Sequence, residues 1–319
     1  MKIMVTGGAG FIGSNVTDAY LSAGHKVVVV DNLFTGKEEN LNQDAKFYHE
    51  DIRSTEIFKI MRDEKVDILN HHAAQMSVPA SVEDPLFDAD VNIRGFINLL
   101  ENAVKNNLKK CIFISSGGAI YGNASEYPTS EDYRPKPLSP YAVSKFTSEY
   151  YLNYYRHQYG LDFTILRYAN IYGPRQVPHG EAGVVAIFMS RLIKKEESTI
   201  FHFPGEEGGM IRDYCYVGDV VKANLSALSG GSADFFNIGT GFETRTQELY
   251  TNIYEVVRSI QPDIPRELEN PSKGPARDGD IPRSCLVVKK AQKYLGWKAE
   301  TGLIDGIRRT FKWYMGQSH

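Results

Sequence analysis

Short apolar runs alternate with segments of helical spacing through the first half of the chain. Lys2 to Thr6 is a β-branched run of strand length, and the apolar residues of Phe11 to Ala23 recur on one helical face. The alternation continues with strand-length runs at His25 to Val30, Lys46 to His49, Val66 to Asn70 and Lys110 to Ile114, and with a long helical segment at Asp88 to Val104. This order predicts an α/β fold with a Rossmann-type doubly wound parallel sheet.

The pattern becomes less regular after about Pro174. We predict two domains: residues 1–173 form the Rossmann domain, and residues 174–319 form a smaller, irregular C-terminal domain. Its predicted elements are helices at Gly183 to Ile193 and Leu303 to Tyr314 and strands at Tyr214 to Val217 and Phe235 to Ile238. The segments near 214–240 are expected to return to the first domain.

Charge and composition exclude several classes of function. The chain has 319 residues and a formal net charge of −3, so it carries no basic footprint for nucleic acid. The apolar runs are far shorter than a membrane span, and Lys2 leads directly into a strand, which leaves no room for a signal peptide. We therefore expect a cytoplasmic protein without nucleic-acid or membrane partners. Cys111, Cys215 and Cys285 lie in apolar stretches and are expected to be reduced packing residues, with no metal site.

Four glycines separate the first strand from the first helix. They are Gly7, Gly8, Gly10 and Gly13, at G-x-G-x-x-G spacing. Residues without a Cβ let a dinucleotide pyrophosphate approach the positive N-terminus of a helix. Asp31 ends the second strand, where a carboxylate accepts hydrogen bonds from an adenosine ribose, and no Arg stands beside it to receive a 2′-phosphate. These residues predict NAD in preference to NADP; the alternative is a structural turn without cofactor.

Polar and small residues follow the next two strands. Asp51 and Ile52 come after the third strand, beside an expected adenine, but a helix cap explains Asp51 equally well. Ala73, Ala74 and Gln75 follow the fourth strand. Their small side chains would let a ligand pass close to the backbone.

Three further candidate residues lie on the next predicted helix and strand. Asn92, on the long predicted helix, either points back at the cofactor or faces solvent. Ser115 and Ser116 follow the fifth strand at the same edge of the sheet. Ligands of doubly wound sheets bind at that edge, so one of these hydroxyls is expected to contact the ligand.

A second group of candidate residues lies on one predicted helix. Ser139 is a good N-cap and Pro140 suits the first helical position, so the helix is predicted to run from there to about Tyr159. Tyr141 and Lys145 then lie one turn apart on one face. A neighbouring ammonium and a nicotinamide cation both favour phenolate, so this pair can take a proton from a sugar hydroxyl. The alternative is a packed tyrosine beside an exposed lysine.

The order of motifs resembles the UDP-glucose 4-epimerase (UDP-galactose 4-epimerase) family within the extended short-chain dehydrogenase/reductases. The motifs are TGGAGFIGS, DNL, HHAAQ, GGAIYG, SPYAVSK, LRYANIYGPRQ, HGEAGVVAIF, IRDYCYVGDV and FNIGTG. They extend from Met1 to the LGW at Leu295 to Trp297, almost the whole chain. The resemblance implies that residues 1–173 bind NAD and residues 174–319 bind a nucleotide sugar.

The resemblance also implies a role for each matching residue. Tyr141 would be the acid/base, Lys145 would hold the nicotinamide ribose, and Ser116, or Ser115 because the motif is one residue short, would hydrogen-bond the reacting sugar oxygen. The other NAD contacts would be Gly7, Gly10, Phe11, Ile12, Gly13, Asp31, Asn32, Leu33, Thr35, Gly36, Asp51, Ile52, Ala73, Ala74, Gln75, Asn92 and Tyr168. The nucleotide diphosphate and its ribose would be bound by Asn170, Arg212, Arg277 and Asp280.

The implied reaction is the 4-epimerisation of a UDP-hexose through a 4-keto sugar. Hydride would pass from C4 to bound NAD and return to the other face of the rotated intermediate. The alternatives are a 4,6-dehydratase, which carries an acid where this chain has Gly118 and Ala119, and a UDP-glucuronate 4-epimerase, which usually carries an Arg in place of Pro79. A non-catalytic NAD-binding sensor tends to lose the Tyr-Lys pair, which this chain keeps.

Ser284 aligns with a position that limits the sugar pocket in relatives. A Tyr there restricts the pocket and a small residue admits an N-acetyl group, so UDP-GlcNAc and UDP-GalNAc are expected substrates as well. Arg283 could instead select another substituent. Without the resemblance, Arg212 before Asp213 would be interpreted as a surface ion pair.

A tyrosine-rich segment follows Lys145. Its tyrosines are Tyr150, Tyr151, Tyr154 and Tyr155. Together with the helix around Ile97 they are expected to form a homodimer interface, as in relatives. Ordinary packing within one chain explains these tyrosines almost as well.

Overall fold

The computed structural model describes residues 1–178, 183–277 and 279–316 of the chain. Its strands are β1 (Lys2–Thr6), β2 (Lys26–Asp31), β3 (Lys46–His49), β4 (Ile68–His71), β5 (Lys110–Ser116), β6 (Asp162–Tyr168), β7 (Asn170–Tyr172), β8 (Thr199–His202), β9 (Ile211–Arg212), β10 (Tyr214–Tyr216), β11 (Asp234–Ile238), β12 (Thr244–Arg245) and β13 (Ser272–Pro275). Its helices are α1 (Phe11–Ser22), α2 (Ile57–Glu64), α3 (Val78–Glu83), α4 (Pro85–Ala89), α5 (Phe96–Lys105), α6 (Pro140–Tyr159), α7 (Val184–Ile193), α8 (Val217–Ala227), α9 (Thr246–Ile260) and α10 (Leu303–Gly316). Asp90–Gly95 and Ala291–Leu295 have π-helical geometry. Part of the HGEAG motif lies outside the described residues.

Seven parallel strands form the main sheet, in the order β11-β6-β5-β4-β1-β2-β3. After β3 the chain crosses to the other side of β1, where β4 begins the second half of the sheet. This reversal places a topological switch point at the carboxyl ends of β1 and β4, where doubly wound sheets bind ligands. The predicted Rossmann-type doubly wound sheet is confirmed.

Apolar side chains cover both faces of the sheet. On β2, Val28 and Val30 pack into the cluster beneath α2, α5 and α6, whereas Val27 and Val29 pack into the cluster beneath α1 and α8. A strand that is buried on both faces needs apolar residues at every position. The uninterrupted VVVV run of β2 follows from this requirement.

Most predicted elements are confirmed to within two residues, and one differs in form. α6 spans Pro140–Tyr159 as predicted: the Ser139 hydroxyl accepts the Ala142 N–H, and Gly160, with φ of 74°, ends the helix. The predicted single helix from Asp88 to Val104 is instead α4, a π-helical segment and α5 in succession. The chain is thus helical from Pro85 to Lys105, and the π-helical segment lies in the middle of this stretch.

The two strands predicted to return to the first half behave differently. β11 joins the main sheet beside β6, whereas β10 pairs in parallel with β7 in a separate two-stranded ladder. Between them, α8 packs against α1 in the cluster on one face of the sheet. Helices α7, α9 and α10 share a further apolar cluster that includes Val185, Leu249 and Phe311. The division of the chain at residue 173 stays a prediction.

Candidate functional site

The glycine turn between β1 and α1 lies at the switch point of the sheet. Gly7 has φ of +70°, and a Cβ on it would lie 2.6 Å from the backbone N of Ala73, so the turn passes directly against the loop after β4. A Cβ on Gly13 would lie 2.2 Å from the carbonyl O of Gly7. Gly10, the N-cap of α1, offers no side chain to the first N–H groups of the helix. These donors and the close backbone approach fit the pyrophosphate of a dinucleotide.

Asp31 ends β2 beside this turn and is 7% exposed. Its carboxylate accepts the backbone N–H of Ala9 at 2.9 Å and that of Leu33 at 2.8 Å. Burial raises the pKa of the Asp31 carboxyl, and the two N–H groups oppose that rise. A Cβ on Gly36 would lie 2.9 Å from Asp31 Oδ1, so glycine there leaves the carboxylate oxygen accessible. A ribose diol fits this arrangement, which agrees with the predicted NAD.

Asp51 lies after β3 and does not cap a helix, so that alternative is wrong. Helix α2 begins at Ile57, with Glu56 at its N-cap. The Asp51 carboxylate accepts the Nε of Arg53 at 2.8 Å and the Nδ2 of Asn32 at 2.9 Å. The pKa of Asp51 is lowered to about 2, and the hydrogen bond from Arg53 is the main cause. Asp51 thereby ties the loop after β2 to the loop after β3.

The other predicted NAD residues of this region occupy three kinds of place. Asn32, Leu33, Thr35 and Gly36 line the loop after β2 beside Asp31. Ile52 is 5% exposed and packs against Gly95. The Tyr168 ring lies in the apolar cluster beneath α1 and α8, and its hydroxyl accepts the Asn224 amide at 2.6 Å. The side chain of Tyr168 is therefore a core group.

Asn92 is 4% exposed, so the solvent-facing alternative is wrong. Its Nδ2 donates to Gln75 O and to Asp88 Oδ1, both at 2.9 Å, and its Oδ1 accepts the Gln75 N–H at 3.0 Å. Asn92 lies in the π-helical segment, a geometry that often marks functional sites. It holds the loop of Ala73, Ala74 and Gln75 in place along the carboxyl edge of the sheet, where the cofactor is expected.

Tyr141 and Lys145 meet at the carboxyl end of β5. Lys145 is 5% exposed, its Nζ donates to Ile114 O at 3.0 Å, and it lies 5.9 Å from the centroid of the Tyr141 ring. Burial lowers the pKa of Lys145 to about 8 and raises the pKa of Tyr141 to about 12, while a hydrogen bond from Ser116 acts to lower the latter. The structure brings the predicted pair together, and the alternative of an exposed lysine is wrong.

The two serines of β5 have different partners. Ser115 Oγ donates to Glu149 Oε1 at 2.6 Å, and Glu149 is held in turn by Arg167 at 2.6 Å. Ser115 is therefore part of a buried polar network. The Ser116 hydroxyl lies near enough to Tyr141 to lower the pKa of the phenol against the larger, opposing effect of burial. Of the two candidates, Ser116 is the one that shares the site with the phenol.

Asn170 and Gly118 border the space in front of Ser116. A Cβ on Gly118 would lie 3.8 Å from Asn170 Oδ1 and 4.0 Å from Ser116 Oγ. The Nδ2 of Asn170 is buried and has no hydrogen-bond partner among the described residues. Because an unsatisfied buried donor is costly, this amide is poised for an acceptor from outside the chain.

Arg212 and Asp213 do not pair, so the surface ion-pair interpretation is wrong. Asp213 is 1% exposed and accepts the backbone N–H groups of Thr240 at 2.8 Å and Gly241 at 3.0 Å. Arg212 donates from Nη1 to Ile211 O at 2.9 Å, and within the described ranges no carboxylate forms a salt bridge with it. Burial lowers the pKa of the Arg212 guanidinium, which remains charged at neutral pH.

The remaining predicted substrate residues lie beside Arg212. Arg277 stacks over the Phe201 ring at 4.7 Å, and its Nε donates to Asp280 Oδ2 at 3.2 Å. Both Arg277 and Asp280 are near enough to influence the pKa of Arg212. Ser284 is 7% exposed, and its N–H donates to Ile211 O at 3.0 Å, which fixes it next to β9.

Arg283 has its own partners. Its Nε donates to Glu243 Oε1 at 2.7 Å and its Nη2 to Glu243 Oε2 at 2.6 Å. The guanidinium also stacks over the Tyr127 ring at 4.8 Å. The paired and stacked guanidinium leaves Ser284 as the better candidate for contact with a sugar substituent.

Sequence reasoning missed two groups of buried charges behind the site. Asp88 is fully buried and bonds to Asn92, and the Glu149–Arg167 pair supports Ser115. Spacing offered a signal in both cases. Asp88 lies four residues before Asn92, and Glu149 lies four residues after Lys145, each on one helical face.

Three further observations concern predictions of absence and the cysteines. Among the described residues, no helix is long and apolar enough to span a membrane. No cluster of three His, Cys, Asp or Glu side chains suited to a metal ion occurs in the described ranges. Cys111, Cys215 and Cys285 are buried and free, and burial raises the pKa of the Cys285 thiol to about 12. Their thiols are packing groups, as predicted.

Comparison with known proteins agrees with this geometry. Residues 3–239 match the model of the NAD dependent epimerase/dehydratase family. The chain is 43% identical to a UDP-glucose 4-epimerase of Mycolicibacterium smegmatis, with 100% of both chains covered. A UDP-glucose 4-epimerase of Thermotoga maritima, solved with UDP-glucose, superposes with a TM-score of 0.93 at 44% identity over 100% of both chains. A UDP-glucose 4-epimerase of Thermus thermophilus, solved with NAD, gives 0.91 at 42% identity over 99% of both.

Proposed function

The chain belongs to the NAD-dependent epimerase/dehydratase family, and on that premise we propose that it is an NAD-dependent 4-epimerase of UDP-hexoses. One observation carries this function: Tyr141 and the buried Lys145 lie one helical turn apart, with the Lys145 Nζ 5.9 Å from the centroid of the Tyr141 ring and bonded to β5 at Ile114 O, two residues before Ser116. The similar proteins solved with UDP-glucose and with NAD support the choice of substrate and cofactor.

Tyr141 serves as the acid/base for the C4 hydroxyl. When bound at the glycine turn, NAD would accept the C4 hydride and later return it. The Tyr141 phenolate takes the hydroxyl proton, and the same phenol returns it after the 4-keto sugar has rotated to present its other face. Because burial raises the Tyr141 pKa to about 12, the phenolate needs the nearby Lys145 ammonium and the Ser116 hydrogen bond.

The glycine turn and Asp31 hold the cofactor. The pyrophosphate would be held by the first N–H groups of α1, where Gly7 and Gly13 keep the backbone close. Asp31 would accept hydrogen bonds from the adenosine ribose, beside Gly36. Asn92 keeps the Gln75 loop fixed along this edge. These residues all lie within 1–173, which supports the proposal that this part of the chain binds NAD and that residues 174–319 bind the nucleotide sugar.

The UDP moiety binds beside Arg212. Arg212 has no salt-bridge partner within the described ranges, so its charge is available to the diphosphate, and Arg277 lies close to it. Asp280 binds the uridine ribose. The unsatisfied amide of Asn170 donates to the substrate beside Ser116.

Ser284 sets the size of the sugar pocket. It is buried and held next to β9, and its small side chain would be compatible with an N-acetyl group on the sugar. UDP-GlcNAc and UDP-GalNAc are therefore included among the substrates. Dehydration is disfavoured because Gly118 offers no acid in the space it shares with Asn170 and Ser116.

The direct test is incubation of the purified chain with UDP-glucose, UDP-GlcNAc and UDP-glucuronate separately, with no added cofactor. We expect the 4-epimer of the first two, detected by NMR of the anomeric protons, and NAD in the supernatant after denaturation. Conversion of UDP-glucuronate alone would favour the uronate epimerase. A 4-keto-6-deoxy product would identify a dehydratase instead.

A homodimer in the cytoplasm is the expected working form. On α6, Tyr150 is 63% exposed and Tyr154 is 49% exposed, and both rings are available for contact with a second copy of this helix. The three free thiols suit a reducing compartment. Sedimentation should give twice the mass of the chain, and Tyr150→Glu combined with Tyr154→Glu should reduce it to the monomer mass.

A further inference from the structure

Asp88, on α4, is a fully buried carboxylate with no part in the chemistry described above. It accepts three side-chain hydrogen bonds, all from uncharged groups. Its Oδ1 accepts Gln75 Nε2 at 3.0 Å and Asn92 Nδ2 at 2.9 Å, and its Oδ2 accepts Ser144 Oγ at 2.6 Å. A buried charge that is held only by neutral donors is expensive, so its retention calls for a physical reason.

Each partner of Asp88 lies on a different part of the site. Gln75 belongs to the loop along the cofactor edge, Asn92 belongs to the π-helical segment, and Ser144 precedes Lys145 on α6. One carboxylate therefore fixes the cofactor loop relative to the helix that carries Tyr141 and Lys145. Ser148 adds a second link between the same elements, because its hydroxyl donates to Asn92 O at 3.2 Å.

Asp88 also has an electrostatic relation to Lys145. The titratable groups near that ammonium are His71 and His72 at the end of β4, Tyr141 on α6 and Asp88 on α4. Burial lowers the pKa values of both histidines, which are neutral at pH 7. Asp88 raises the pKa of Lys145 against the opposing effect of burial, and it also raises the pKa of Tyr141.

We propose that Asp88 is a positioning residue for the Tyr141–Lys145 pair: its carboxylate clamps the Gln75 loop to α6 through Ser144, the residue next to Lys145, and places a negative charge behind the Lys145 side chain. This inference rests on the proposed function. The two roles can be separated, because an Asn at 88 keeps an acceptor for Gln75 and Asn92 and can donate to the Ser144 hydroxyl, while the charge is lost.

The test compares three full-length variants with the parent. Asp88→Asn removes the charge and keeps the hydrogen bonds, whereas Ser144→Ala removes one bond and keeps the charge. Asp219→Asn is the matched control, since Asp219 is also buried and accepts the N–H groups of Glu300 and Thr301. Its helix, α8, packs on the opposite face of the main sheet from α6. Two quantities are measured: the pH profile of kcat for UDP-glucose, and the titration of the Lys145 Cε resonance in [ε-13C]lysine-labelled protein, assigned by its loss in Lys145→Met.

For Asp88→Asn we expect the Lys145 titration and the alkaline limb of kcat to move about one pH unit lower, because a nearby carboxylate no longer stabilises the ammonium. The acid limb should move in the same direction, since the phenol also loses a negative neighbour. Ser144→Ala should lower kcat several-fold with both limbs in place, and Asp219→Asn should leave the profile unchanged.

A reduced kcat in Asp88→Asn with an unshifted Lys145 titration would overturn the proposal and leave Asp88 a packing residue. An equal shift in Asp219→Asn would also overturn it, because the effect would then not depend on proximity. The lysine titration needs no substrate. If the parent converts no UDP-hexose, the proposed function fails while the relation between Asp88 and Lys145 is still decided.

Discussion

The two sides of the candidate site differ in how their polar groups are satisfied. The catalytic side comprises Ser116, Tyr141 and Lys145 with Asp88 and Asn92 behind them. Its buried Lys145, Asp88 and Asn92 side chains all have hydrogen-bond partners within the chain. On the UDP side, which comprises Asn170, Arg212, Arg277, Asp280 and Ser284, the Asn170 amide lacks a partner and Arg212 lacks a salt bridge within the described residues. The first side is therefore preorganised by folding, and the second is completed by its ligand.

The largest expected effect is on the catalytic side. Tyr141→Phe removes the group that takes and returns the C4 proton, so kcat should fall about a thousandfold for every UDP-hexose. NAD content should be unchanged, because the glycine turn and Asp31 are intact. Turnover is measured by NMR, and bound NAD by its release on denaturation.

Tyr159→Phe is the matched control for this substitution. Tyr159 ends the same helix and is 47% exposed, so loss of its hydroxyl should leave kcat unchanged. If Tyr141→Phe retained more than about a tenth of the parental kcat, the proton would have another carrier on the catalytic side. If both variants lost activity equally, the defect would belong to α6 as a helix.

The contrast between the sides also explains what the sequence could predict. The strand and helix order, the α6 caps and the glycine turn depend on local rules, and the structure agrees with them. The pairing of Tyr141 with Lys145 needed only helical spacing. These features were accessible because neighbours along the chain determine them.

The rest depends on contacts between distant segments. Asp51 was an equally good helix cap until its bond to Arg53 was seen, and Asn92 was an equally good surface residue until its bonds to Gln75 were seen. Arg212 and Asp213 are adjacent in sequence but face different surroundings. No local pattern reveals such partners, so hydrogen bonds between elements decide these cases.

The next largest effect concerns pocket size on the UDP side. Ser284→Tyr adds an aromatic ring to a buried position next to β9, and it should lower kcat/KM for UDP-GlcNAc about a hundredfold by excluding the N-acetyl group. Activity with UDP-glucose should be spared, and both are measured by the formation of the 4-epimer. Ser284→Ala is the control and should keep both activities. If UDP-GlcNAc is still converted by Ser284→Tyr, residue 284 does not set the pocket size.

Arg212→Gln tests whether the UDP side is completed by its ligand. Loss of charge-assisted bonds to the diphosphate should raise KM for UDP-glucose about thirtyfold with little change in kcat. Without ligand the Tm should not fall, because the guanidinium has no salt bridge to lose within the described ranges. Steady-state kinetics and thermal unfolding with and without UDP measure the two effects.

Arg245→Gln is the matched control for Arg212→Gln. Arg245 forms an exposed ion pair with Glu206 at 2.6 Å, so its loss should change neither KM nor the stabilisation by UDP. A clear fall in Tm for ligand-free Arg212→Gln would show that Arg212 is structural, and the contrast between the two sides would be lost.

The smallest expected effect is on the pH dependence of stability, through the ion pair between Asp51 and Arg53. The bond from Arg53 holds the Asp51 pKa at about 2, below its ordinary value of 3.8, so the pair contributes stability above that ordinary value and loses it as pH falls toward 2. Asp51→Asn should therefore reduce the free energy of unfolding by about 1 kcal/mol at about pH 6 and by less at about pH 3, measured by urea titration. Asp63 forms an exposed ion pair with Arg62, so Asp63→Asn should change the free energy of unfolding by the same small amount at both pH values. A deficit that stayed constant or widened in acid would mean that Asp51 acts through neutral hydrogen bonds alone.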